Sequence, residues 1–236
     1  MKLDVVLTPA EIDLLPERDL QNTTAIVFDV LRATSTILTA LAHGAREIYP
    51  VRTIEEAFAM QNHLPDARLS GERHGEKIDG FDFGNSPLEY RLELPPHIIT
   101  TTTNGTIALR ACENAHETLV GALLNMSALL VRIAETGGEN DVLLVCAGTF
   151  RDIALEDVIA AGMLCASLPG AELTDAARVA RAVFLEHERD LLAGLRASRN
   201  GQVLIGKGRE DEVRWCAQTS FYNVVGAMKS GAIRVV

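Results

Sequence analysis

Cysteine is scarce and scattered in this chain. Its four thiols, Cys112, Cys146, Cys165 and Cys216, lie too far apart for a zinc-ribbon pattern, and nothing marks secretion, so they read as reduced thiols of a cytoplasmic protein. Long hydrophobic runs are absent as well: no segment approaches the ~18 apolar residues of a membrane span. The opening residues Met1 to Leu7 lack the apolar stretch and small-residue cleavage site of a signal peptide, which predicts neither export nor membrane insertion. Positive charge is in deficit, with 22 Lys and Arg against 32 Asp and Glu for a net −10, and this opposes nonspecific attraction to nucleic acid or anionic lipid. A small anionic ligand therefore needs local cations or a metal to offset the field. The sequence has no GxxxxGK[ST] pattern, which argues against a P-loop nucleotide enzyme, and no His/Cys cluster, repeat, low-complexity tract or obvious linker.

What is present is the composition of a soluble α/β protein: 47% hydrophobic, 23% charged and 5% aromatic over 236 residues. That length can bury a substantial core, as one α/β unit or as two α/β lobes with a boundary near 165–175. Apolar, β-rich runs recur at 4–8, 24–28, 48–51, 67–69, 97–99, 117–120 and 141–145, most of them followed by helix-like segments. The alternation predicts a largely parallel or mixed sheet flanked by helices in three α/β/α layers. Thr53 with Glu56 forms a capping-box pattern, and Asn125 is placed to cap a helix over 126–135 that Gly137-Gly138 ends. A long helix is expected over 174–196, a turn at Asn200-Gly201, and a helix followed by one short strand over 209–236. The stretch 70–96, rich in Gly and charge and carrying Pro87, Pro95 and Pro96, breaks the alternation as a long loop or small subdomain.

Chemistry-bearing residues gather at the ends of the expected strands. After 24–28 come Asp29, Arg32, Thr34 and Ser35, where a carboxylate suits a cation and a guanidinium suits an oxyanion; the alternative is a capped helix with an Asp29–Arg32 pair. After 67–69 come Glu72, Arg73, His74 and Lys77, then Asp82, Asn85 and Ser86: hard oxygen ligands and cations, or simply a solvated charged loop. The run Thr100 to Thr106 leads from a strand through Asn104-Gly105 into a helix start, where backbone N–H groups and hydroxyls can hold an anion. Asn125 follows the next strand, and Cys146, Gly148 and Thr149 follow the one after it. Glu156 and Asp157 either complement a helix dipole or supply a further metal ligand, and Cys146 reads as wall rather than nucleophile. In an open parallel sheet, ligands bind outside the carboxyl ends of the strands, so these groups are expected to line one anion-and-metal pocket.

Asp29-Val-Leu-Arg-Ala-Thr-Ser-Thr36, Gly71-Glu-Arg73, Gly80-Phe-Asp-Phe-Gly-Asn-Ser-Pro87, Thr101-Thr-Thr-Asn-Gly-Thr106 and Cys146-Ala-Gly-Thr149 with Glu156-Asp157 occur in this order. Together they resemble the 2-phosphosulfolactate phosphatase (ComB) family, up to about Gly162. The resemblance implies a Mg²⁺-dependent phosphatase that converts (R)-2-phospho-3-sulfolactate to 3-sulfolactate and phosphate, toward coenzyme M. On this reading Asp29, Arg32, Glu72 and Arg73 are catalytic, and Asp29, Glu72, Glu156 and Asp157 are candidate metal ligands. Ser35, Asn85, Ser86, Thr103, Asn104, Gly105, Thr106, Asn125, Cys146, Gly148 and Thr149 are candidate substrate contacts. Asp29 is either ligand or nucleophile. The partner is a small phosphorylated and sulfonated anion, with no nucleic acid or membrane, and a homodimer is the base-rate expectation. The alternatives are a noncatalytic binding or regulatory module for a small dianion, or a phosphatase for another phosphorylated hydroxy acid.

Overall fold

The computed structural model describes residues 1–91, 94–135 and 140–236; the expected helix stop at Gly137-Gly138 lies outside them. The strands are β1 (Lys2–Val6), β2 (Thr23–Phe28), β3 (Glu47–Pro50), β4 (Arg68–Arg73), β5 (Glu76–Lys77), β6 (His97–Thr101), β7 (Glu117–Gly121), β8 (Asp141–Cys146), β9 (Glu172–Leu173), β10 (Gly226–Lys229) and β11 (Ala232–Val235). They form an eleven-stranded mixed sheet in the order β5-β4-β6-β3-β11-β10-β7-β2-β8-β1-β9. The strands of the sheet's centre are apolar on both sides, as burial between two helical layers requires. Leu3, Val5, Ile26, Phe28 and Leu144 pack against α5 (Met126–Glu135), α6 (Leu155–Ser167) and α7 (Asp175–His187). The alternate residues Val6, Ala25, Val27, Leu143 and Val145 share a core with α2 (Ala33–Ala42) and α4 (Gly105–Ala111). A smaller cluster seats α3 (Ile54–His63) on Leu69 and Ile99.

The sheet is not one continuous parallel array. β4, β6 and β3 are mutually parallel, as are β7, β2, β8, β1 and β9, but the hairpin β10–β11 is antiparallel to its neighbour on either side. Three antiparallel steps in succession reverse direction, so the two parallel segments run in opposite senses. In a flat sheet their carboxyl ends would lie at opposite edges. Strand twist of roughly 20–25° per step accumulates to about 100–125° over the five steps from β6 to β2, turning opposed segments into crossing ones. Loops after β2, β4, β6 and β8 consequently meet.

Three further differences from the sequence reading have local causes. The 209–236 tail supplies α10 (Glu210–Cys216) and two strands rather than one, because Ser230-Gly231, both at positive φ, turn the chain into a hairpin. The expected long helix is two, α7 and α8 (Leu191–Ala197), since Asp190 stops the first and caps the second by accepting the Ala193 N–H. Asn200-Gly201 is not a turn but the start of α9 (Arg199–Gly206), capped by Ser198, whose hydroxyl accepts the Gly201 N–H at 3.1 Å. Gly201 is there for close approach: a Cβ would fall 1.9 Å from the Leu195 carbonyl oxygen. At the 126–135 helix, Asn125 does not cap. Its buried amide instead accepts the Ala122 N–H and donates to the carbonyls of Val120 and Val224, tying β7 to the segment leading into the hairpin. Among the described residues no helix is long and apolar enough to cross a membrane.

Candidate active site

A cavity of about 220 Å³ opens where the four loops meet. Asp29 follows directly from β2 and is held by the start of α2: its Oδ1 accepts the Ala33 N–H at 3.1 Å, and its own N–H donates to Thr34 Oγ1. Its Oδ2 lies beside the Gly105 backbone, and among the described residues no donor reaches it. Burial is the main reason the Asp29 carboxyl is pushed up to about 7; the Ala33 N–H opposes the shift, the charges of Glu72 and Glu156 add to it, and Arg32 opposes it. Gly105 makes this arrangement possible, because a Cβ there would stand 2.6 Å from Asp29 Oδ2 and 2.7 Å from the Ala33 Cβ. Gly105→Ala is therefore expected to displace the Asp29 carboxylate and lower any activity that depends on it by about 10²-fold or more, with a far-ultraviolet circular dichroism spectrum like that of the parent.

Glu72, at the end of β4, fastens two loops. Its Oε1 accepts the Thr103 N–H at 2.8 Å and the Thr103 hydroxyl at 2.9 Å, and its Oε2 accepts the Gly75 N–H at 2.7 Å. The Thr106 and Thr102 backbone N–H groups donate reciprocally to each other's hydroxyls at 3.1 Å. Two amides of the expected anion cradle are thus engaged within the protein. Asn104 turns its side chain to the loop after β8, donating to the carbonyls of Ala147 and Phe150 and accepting the Phe150 N–H. Arg32 is buried, forms an ion pair with Glu212 on α10 and donates to the Gly75 carbonyl at 3.2 Å.

A second pair of carboxylates stands one layer behind the lining. Asp157 accepts the Val30 N–H at 2.8 Å and the Gly148 N–H at 3.1 Å, pinning the loop after β2 to the loop after β8. Burial, then the charges of Glu156 and Asp29, push its carboxyl well above the usual range. Burial likewise raises Glu156, which accepts the Asn200 amide at 2.6 Å; the same Nδ2 lies 2.6 Å from Thr149 Oγ1. Two carboxyls, Asp29 and Glu72, thus line the cavity and two more, Glu156 and Asp157, lie buried behind it, while Arg32 is itself neutralised by Glu212.

Residues 9–231 match the family described as 2-phosphosulpholactate phosphatase. A probable 2-phosphosulfolactate phosphatase of Clostridium acetobutylicum is 36% identical over 240 residues, spanning 99% of this chain and 100% of its own length. One from Symbiobacterium thermophilum is 37% identical across 94% of this chain and 98% of its own, and one from Pseudothermotoga lettingae 40% identical across 89% and 92%. The chain belongs to the 2-phosphosulfolactate phosphatase family. It is a family of phosphatases, and the likeness runs through the C-terminal third, where the motifs of the sequence reading stop.

Within this family member the expected site residues divide between lining and frame. Asp29, Arg32, Glu72, Asn85, Thr103, Asn104, Gly148 and Thr149 line the cavity. Ser35 lies behind it, donating to the Val30 carbonyl; Arg73 is turned to the Glu72 carbonyl and Thr101 Oγ1; Ser86 starts the 3₁₀ turn Pro87–Tyr90. Asn125 and Cys146 are both buried away from it, and burial raises the Cys146 thiol well above its usual range, so it stays protonated. The lining also includes His74, which the sequence reading named without assigning it a role, and Leu31, Gly75, Phe150, Arg199, Asn200, Val203 and Leu204, which it did not assign to the site. The peptide joining Leu31 to Arg32 is cis. For α9 a local signal existed, Ser198 three residues before Gly201, but the Asn-Gly pair between them reads as a turn.

Proposed function

We propose that the protein hydrolyses the phosphomonoester of (R)-2-phospho-3-sulfolactate, releasing 3-sulfolactate and phosphate, with Mg²⁺ as its cofactor. The observation that carries this reading is the pair of acids, Asp29 and Glu72, lining a cavity sized for a small molecule, with Glu156 and Asp157 buried behind them. A phosphate dianion cannot approach ionised Asp29 and Glu72 unless something positive intervenes, and Arg32 is already paired with Glu212.

The donor set fits a hard divalent cation. Among the described residues the carboxylates lining the cavity are Asp29 and Glu72, and no three His, Cys, Asp or Glu side chains form an all-protein cage. Mg²⁺ typically takes one or two carboxylates and leaves its other positions to water and substrate oxygens. Asp29, through its unpartnered Oδ2, and Glu72 would hold it. When bound, the ion would neutralise charge on the phosphoryl oxygens and polarise the phosphorus centre. The chain's own contribution is positioning. Glu72 locks the Thr103 and Gly75 backbones, Asp157 clamps the two loops flanking Asp29, and Asn85 and Thr149 offer polar atoms to substrate oxygens.

Purified protein stripped of metal is expected to release phosphate from 2-phosphosulfolactate only after Mg²⁺ is restored, and to form sulfolactate in equal amount. Tight binding of the substrate with no phosphate release under any metal would sink the reading in favour of a binding module. Equal turnover of sulfonate and carboxylate analogues would keep the phosphatase and remove the sulfonate specificity.

A further inference from the structure

The charges around the cavity are polarised. Acids occupy the floor, whereas Arg199, the first residue of α9, lines the mouth with its side chain 58% exposed. Other cations nearby are committed elsewhere: Arg32 to Glu212, and Lys207 and Arg209 both to Glu76 and to carbonyls of the His74–Gly75 tip. Among the described residues the acidic partner of Arg199 is Asp152, at 3.0 Å and 72% exposed, and an ion pair so open to water holds its partners weakly.

The base of Arg199 is well fixed although its tip is free. Ser198 caps α9, and Asn200 is anchored to Thr149 and Glu156, so the arginine's backbone is registered to the acid floor. Its guanidinium lies 5.4 Å from the centre of the Phe150 ring, and Phe150 is held on both backbone groups by Asn104. A planar guanidinium placed over an aromatic face can present its edge N–H groups in a fork suited to a tetrahedral oxyanion.

We propose that Arg199 is the specificity-determining residue for the sulfonate: it receives the anion at the far end of the substrate while the phosphate lies at the acid floor. This rests on the proposed phosphatase reading. 2-Phosphosulfolactate carries three anionic groups on a three-carbon frame, and the phosphate is the one that belongs with the floor's cation. A strongly acidic sulfonate stays charged at every working pH and needs a cation that does not titrate, which an arginine supplies.

The test compares 2-phosphosulfolactate with 2-phospholactate, which keeps phosphate and carboxylate and replaces the sulfonatomethyl group by methyl. Arg199→Gln is expected to lower kcat/KM for the sulfonate substrate about 10- to 100-fold more than for phospholactate, chiefly through KM, because a charge-assisted contact is lost. Arg199→Lys is expected to recover part of that selectivity. Asp152→Asn, which removes the competing carboxylate, is expected to lower KM for the sulfonate substrate up to about 5-fold. Equal losses on both substrates would overturn the proposal and assign Arg199 to the carboxylate; no loss on either would overturn it outright. Wild-type protein that cleaves neither compound would instead remove the phosphatase reading on which it rests.

Discussion

Asp29→Asn is expected to lower phosphate release at least about 10³-fold while making the metal-free protein more stable above neutral pH. The two effects have one origin. Asp29 presents an oxygen that no donor among the described residues satisfies, and burial, with the charges of Glu72 and Glu156 adding to it, pushes its carboxyl up from 3.8 to about 7. A group whose pKa is raised on folding binds more protons in the native than in the unfolded state between those values. Native stability is accordingly greatest toward the acid side of that window and declines as pH rises through about 7, the reverse of a salt-bridged aspartate. Glu156 and Asp157 are shifted the same way and reinforce the sign.

Thermal unfolding of metal-free protein at pH 5, 6, 7 and 8 should therefore show a falling midpoint, with a combined loss on the order of a few kcal/mol. Asparagine at position 29 should flatten that profile. Mg²⁺ should raise the wild-type midpoint more at pH 8 than at pH 5, since it competes with the proton for the same carboxylates. A midpoint that rises with pH in the metal-free protein would refute the account. Asp29→Asn retaining full multiple-turnover activity would exclude it as ligand and nucleophile alike, and trapping phosphate on Asp29 would assign the second role.

Glu212→Ala is the other large expected effect, and it is structural first. Arg32 is 4% exposed and has two partners, Glu212 and the Gly75 carbonyl. Removing the carboxylate leaves a buried guanidinium uncompensated, which costs about 3–5 kcal/mol. For a chain of this size that lowers the unfolding midpoint by roughly 6–20 °C. The double substitution Arg32→Leu with Glu212→Leu is expected to recover most of the stability and none of the activity, because the pair also holds the loop after β2 and the β4–β5 tip against α10. Recovery of activity along with stability would show that the pair serves packing alone.

Legibility followed the range of the interaction concerned. Strands such as β2 and β8 were visible because burial on both faces demands continuous apolar runs, and the ends of β2, β4, β6 and β8 were visible because polar residues and glycines interrupt those runs. The β10–β11 hairpin was not, since two short strands lying between β3 and β7 derive their stability from neighbours more than a hundred residues away. Asn125 illustrates the opposite failure: its position before a helix suggested a cap, but the Val224 carbonyl, 99 residues on, recruits its amide. Arg199 and Asn200 were hidden by an Asn-Gly pair with strong turn preference, overridden by the Ser198 cap and by the fit of Gly201 against α8.

Composition and periodicity alone determined an acidic α/β chain with layered helices, and motif order alone placed Asp29, Glu72, Thr103 and Thr149 at strand ends. Both are local or statistical properties, so they survive without coordinates. Only the tertiary structure decided that those ends share a cavity, because two parallel segments of opposite sense converge through accumulated twist, which no local pattern encodes. It also decided the charge balance: Arg32 is paired from α10, Glu156 is held from α9, and Arg199 is left at the mouth. Side chains far apart in the chain neutralise one another only where folding brings them within a few ångströms, and that distance dependence put the site's electrostatics beyond the reach of the sequence.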